Sequence, residues 1–184
     1  MAYLDFGNAA LADVVDDPRW QVTDLVQGFS IETTPKQARN VESFGAVLPR
    51  GCRVFIAFIP GDSPSEIVAL ADRLVAEGML PVPHVPARNF ACLREFESYA
   101  TALHAKGVRQ ALMLAGGARD AAGSLTSSLE LLDSGVMEGT GFEQLFVAGH
   151  PEGSPDISRS ELAEALAKKN TYARQTGMPV TIVT

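Results

Sequence analysis

Side chains suited to proton transfer or anion binding recur at a few points along the chain: Glu32-Thr33, His84 with Arg88-Asn89 just beyond, the pair Gly116-Gly117, and His150-Pro151-Glu152-Gly153. A carboxyl group and an imidazole are the groups best suited to hold and pass a proton near neutral pH. An arginine and a glycine-exposed backbone suit an anion or the edge of a flat ligand. Each residue also has a purely structural reading. Glu32 can face the positive end of the next helix, and His84 can be a hydrogen-bonded core residue. Arg88 can answer surface carboxylates, the glycine pair can be a turn, and Pro151 holds His150 extended. His104 sits in a helical stretch and has no assigned role. The three histidines and two cysteines never fall at HxxxH or CxxC spacing, so no metal site is expected. No GxSxG elbow supports a serine nucleophile, and no GxGxxG follows a strand.

The elements that must position these residues alternate between short apolar runs and amphipathic stretches. Residues 27–33, 54–59, 80–85, 110–114, 144–148 and 180–183 read as strands, the third weakened by Pro81 and Pro83. Between them, 35–48 reads as a helix with Ala38, Val41, Phe44 and Val47 at helical spacing. Ser63, Pro64 and Glu66 open a second helix with a capping box, and Gly78 ends it. Residues 92–105 form a third, closed by Gly107. A fourth starts at 127–132, and Ser158 with Glu161 opens a fifth that runs to about 175. Six strands joined by five helices imply right-handed βαβ units and a parallel α/β sheet. Both a doubly wound sheet and a partial eight-stranded barrel fit that count. In either, the candidate residues fall at the carboxyl ends of successive strands, where such folds place their sites. The repetition, more than any one residue, points to a site. An inward Glu32 is costly unless it is paired or functional.

With 184 residues the chain is expected to be one domain (26–184) behind an N-terminal arm or helix (1–25). A 46% hydrophobic and 20% charged composition is that of an ordinary globular protein. The net charge of −7 argues against a nucleic-acid surface, no apolar run is long enough to cross a bilayer, and no secretory signal is visible. Two cysteines outside any framework lead to the expectation of a reducing, cytoplasmic location.

Taken in order, FSIETTPK at 29–36, IPG at 59–61, PHVPARN at 83–89, LAGG at 114–117, AGHPEGSPD at 148–156 and the final IVT resemble the methylenetetrahydrofolate reductase family from about residue 27 onward. The resemblance implies an eight-stranded (βα)8 TIM-type barrel that carries FAD. It also implies an oxidoreductase of one-carbon metabolism, linked to methionine biosynthesis, which uses NAD(P)H to reduce methylenetetrahydrofolate to methyltetrahydrofolate. Carried over by position, Glu32 corresponds to the catalytic acid, with a pKa raised by burial, and His84 lies by the flavin. Arg88, Gly116 and Gly117 fall in the cofactor's surroundings. Ala148, His150 and Glu152 match the segment along its ribityl and phosphate region, and Lys169 falls near a basic residue that meets the phosphates. A folate substrate and a homo-oligomer are the implied partners.

Two departures stand out. Ala115-Gly116-Gly117 replaces the family's arginine-glycine-aspartate, leaving Asp120 as the nearest acid, and Ala57 replaces a threonine. The chain also ends at Thr184, before the family's last two βα units, so an incomplete barrel is expected. A flavin-free folate-binding relative and a non-catalytic binding homologue are the alternative expectations.

Overall fold

The computed structural model describes residues 27–117, 121–153 and 157–183. The N-terminal arm expected at 1–25 lies outside them, as do Asp120 and the stretch 154–156. Six strands form one sheet: β1 (Ser30–Thr33), β2 (Arg53–Ile56), β3 (Leu80–Pro86), β4 (Gln110–Leu114), β5 (Gln144–Ala148) and β6 (Val180–Val183). All neighbours are parallel and follow chain order from β1 to β6. A doubly wound sheet reverses its order at a switch point. This one never does, and it curls as a half-barrel, an α/β arrangement of incomplete TIM-barrel type.

The connections contain seven helices among the described residues: α1 (Pro35–Ala38), α2 (Phe44–Val47), α3 (Pro64–Ala76), α4 (Leu93–Ala105), α5 (Ser128–Asp133), α6 (Val136–Thr140) and α7 (Arg159–Thr176). A single 3-10 turn spans Ala87–Asn89. The capping boxes expected at Ser63 and Ser158 are formed, and Thr34 and Ser127 make two more. The fourth expected helix becomes two because Gly135, at φ 71°, turns the chain between α5 and α6.

The single helix expected over 35–48 is instead two short turns, α1 and α2. Its apolar spacing is real, but tertiary contacts break it. Arg73 of α3 donates to the carbonyls of Ala38, Val41 and Glu42, at 2.9, 2.6 and 3.0 Å. Glu77 accepts from the backbone N–H of Phe44 and Gly45 and from the Ser43 hydroxyl. These partners satisfy the backbone groups that a continuous helix would have used itself.

Pro81 and Pro83 are tolerated for a similar local reason. They register with Val54 and Ile56 of β2, whereas β3 pairs with β4 only through His84–Pro86. The prolines therefore lie where the strand needs a ladder on one side only.

Alternation along the strands separates two faces. Val54, Ile56, Val85, Ala111, Met113, Leu145 and Val147 face the helices and join Ile67, Leu74, Phe96 and Leu103 in the main core. On the other, concave face a smaller cluster of Val82, Leu112 and Phe146 is flanked by Phe55, Leu114 and Val183.

Candidate functional site on the concave face

The register fixes which side chains share the concave face. Glu32 lies beside Phe55 and Phe55 beside Val82, while His84 lies beside Leu112 and Leu112 beside Phe146. Glu32 and His84 occupy the same face near the carboxyl ends of β1 and β3. There Glu32 Oε2 stands 3.3 Å from His84 Nε2. The two residues, fifty-two positions apart in sequence, form an acid–imidazole pair.

The environments of the two partners differ sharply. The His84 side chain is 14% exposed and that of Glu32 is 61% exposed. Burial pushes the imidazole below its ordinary pKa, and the facing carboxylate opposes that shift. His84 Nε2 is buried and makes no formed hydrogen bond, although Glu32 lies within ion-pair distance. On the other side, the Tyr99 hydroxyl of α4 donates to the His84 carbonyl at 3.3 Å, and burial raises the pKa of this phenol strongly. Tyr99 belongs to an aromatic group with Phe58 and Phe90, which fixes the strand where His84 projects. The burial expected to keep Glu32 protonated is not supplied by the chain. A ligand lying over the carboxyl group would have to supply it.

Arg88 and Gly116 meet where two loops are stitched together. The Arg88 N–H donates to the Ala115 carbonyl at 3.0 Å, and the Ala122 N–H donates to the Arg88 carbonyl at 2.8 Å. Gly116 has φ 95°, and a Cβ there would lie 3.0 Å from Pro86 Cβ and 3.6 Å from Arg88 Cβ. Glycine is thus required twice, by backbone conformation and by space. Among the described residues, nothing comes within 4 Å of the position a Gly117 Cβ would take.

At the end of β5, Ala148 registers with Val183, and the Gly149 N–H donates to the Val183 carbonyl at 2.9 Å. His150 follows at φ 47°, the one non-glycine residue with positive φ among those described. Such backbone conformations cluster at functional loops. His150 and Glu152 are both exposed on this loop.

Lys169 is placed elsewhere. It lines a groove between α7 and the helix-facing side of β5 and β6, together with Val147, Val180 and Ile182. The other candidates stand at the strand ends, so the structure does not bring Lys169 to them.

Three concave-face residues had no sequence signal of their own: Phe55 and Phe146 sit in runs that read as buried strand, and Arg53 falls just before the strand expected at 54–59. Phe55 and Phe146 meet edge to face at 5.3 Å between ring centres. Arg53 projects toward the amino-terminal end of the same face. It donates to the Gln110 side chain at 3.2 Å and lies 5.9 Å from the Phe146 ring centre.

An apolar trough with a proton-bearing pair at one end suits a flat heterocycle with polar edges. Against FAD specifically, the orphaned His84 Nε2 offers an edge partner, and Phe55, Val82, Leu112 and Phe146 offer an apolar bed. Among the described residues, the space beside Gly117 lets a ring approach the backbone. These residues fit the ring. No group of three or more metal-ligating side chains occurs among the described residues, and no helix among them is long and apolar enough to cross a membrane. No protein-family model matches the chain.

Proposed function

We propose that the chain is an FAD-dependent oxidoreductase of one-carbon metabolism that uses NAD(P)H to reduce methylenetetrahydrofolate to methyltetrahydrofolate. One observation carries this reading: Glu32 Oε2 and His84 Nε2 meet at 3.3 Å on the open face of a half-barrel, at the carboxyl ends of its strands. FAD, when bound, would supply two-electron acceptance and hydride donation. His84, Gly116, Gly117 and Ala148 would hold it, with Arg88, His150 and Glu152 on the bordering loops.

The chain's own contribution is proton placement. Glu32, once protonated, can deliver that proton to the folate nitrogen whose bond to the methylene carbon breaks, opening the bridge toward a reactive iminium. His84, whose burial disfavours the imidazolium, can present Nε2 to the protonated Glu32 carboxyl as a neutral acceptor and so orient it without adding positive charge beside the ring. A ligand over the trough would exclude water from the exposed Glu32 carboxyl group.

Protein incubated with FAD and freed of excess by gel filtration is expected to keep a flavin absorption band and to oxidise NADH or NADPH with methylenetetrahydrofolate. Colourless, inactive protein overturns the reading. A second reading is a folate-binding reductase that takes hydride directly from the nicotinamide. It is favoured by glycine at position 117, which carries no acidic side chain where the resembled family has an aspartate. Turnover in a flavin-free preparation separates the two.

A further inference from the structure

The groove that holds Lys169 lies outside the strand-end site, on the opposite face of the sheet. It is a partly open groove of about 560 Å³, within the range of small-molecule pockets, roughly 300–1,000 Å³. Its walls are apolar: Val147 of β5, Val180 and Ile182 of β6, and Leu166 of α7. Lys169 and Asn170 are the polar residues in that lining.

Lys169 makes no hydrogen bond or ion pair among the described residues. The helix explains why. The neighbouring Lys168 takes Glu164, one turn earlier, at 2.8 Å. For Lys169, the positions three and four residues away on either side are Leu166, Ala165, Tyr172 and Ala173, none of which is an acid. Burial among apolar atoms lowers the pKa of its ammonium, and nothing nearby opposes that shift. A half-buried cation without a counter-ion is an unfavourable arrangement that an anion would relieve.

We propose that this groove binds a small amphipathic carboxylate, its chain along Val147, Leu166, Val180 and Ile182 and its carboxylate on the Lys169 ammonium and the Asn170 amide. One cation and one amide suit a single carboxylate better than a phosphate, which favours clustered or bidentate donors.

Isothermal titration of the full chain with decanoate tests this, with 1-decanol as the uncharged control. Saturable binding of decanoate is expected, weaker by about tenfold or more for decanol and for Lys169→Met, as loss of a charge-assisted hydrogen bond implies. Methyl NMR of the unsubstituted protein locates the ligand independently of any variant, with shifts expected at Leu166 and Ile182. The proposal is overturned by equal binding of decanol, by undiminished binding to folded Lys169→Met, or by shifts confined to Phe55-side residues of the concave face. A dimer that buries this groove and binds no decanoate overturns it as well.

Discussion

Glu32 keeps most of its side-chain surface in solvent while the imidazole beside it is largely buried, and this inequality sets the chemistry available to the pair. Replacing the acid by its amide preserves shape but removes the proton. Glu32→Gln is therefore expected to lower the proposed reductase turnover by roughly 10²–10⁴-fold while the flavin absorption band stays; steady-state assays beside a visible spectrum check both. His84 has a separate signature in stability. Its folded-state pKa is below the ordinary value, so the unfolded chain binds the proton more readily. The native state should lose stability as pH falls through the imidazole range, from about pH 7 downward, until the folded-state pKa has been passed. Urea unfolding at a series of pH values should show that slope, and His84→Gln should flatten it. At Gly116, a positive φ and the close Pro86 Cβ make Gly116→Val destabilising by about 1–3 kcal/mol, measurable as a lowered urea midpoint.

The Arg73–Glu77 pair is the clearest case of an element deciding its neighbour's structure. The two side chains meet at 2.7 Å and are only partly exposed, at 32% and 20%. Burial of Glu77 opposes its charge, but hydrogen bonds from Arg73, Gly45, Phe44 and Ser43 outweigh it and hold its pKa below the usual carboxylate value. That contribution is present above the ordinary carboxylate pKa and is lost as pH falls through the lowered one. Arg73→Met should cost about 1–3 kcal/mol, because three carbonyls and a carboxylate lose a donor together. Chemical denaturation measures this, and loss of amide protection confined first to 38–47 would show that the pair acts on that segment. Where a boundary depends on the next few residues, the sequence is a good guide: Ser63-Pro64-Glu66 and Ser158-Glu161 cap their helices as expected. Residues 35–48 defeat it because, beside the local Ser43 cap of α2, the groups that hold the break between α1 and α2 are Arg73 and Glu77, more than twenty-five positions away.

At the scale of the whole molecule, β1 and β6 each have a strand neighbour on one side, whereas β3 and β4 lie in the middle of the sheet. Amide exchange should therefore be slowest for Val85, Ala111 and Met113, which are fully or almost fully buried, and fastest among strands at Ile182, which is 49% exposed. Uniform protection across all six strands would mean that the edges are covered in solution by another chain or segment.

The strands at 110–114, 144–148 and 180–183, the helix caps and the parallel βα order follow from local chemistry, because period, turn residues and capping groups act over a few positions. The sequence also marked Glu32 and His84 as unusual on otherwise apolar strands. The count of elements left the partial barrel and the doubly wound sheet both open, since both use the same elements and differ only in which strands become neighbours; only the family resemblance pointed to the barrel. Sequential strand order decided for the half-barrel, and the shared register set the acid against the imidazole, while the packing of α7 on the helix-covered side of β5 and β6 put Lys169 on the opposite face. Such outcomes depend on how distant segments pack, and no local window of residues contains them.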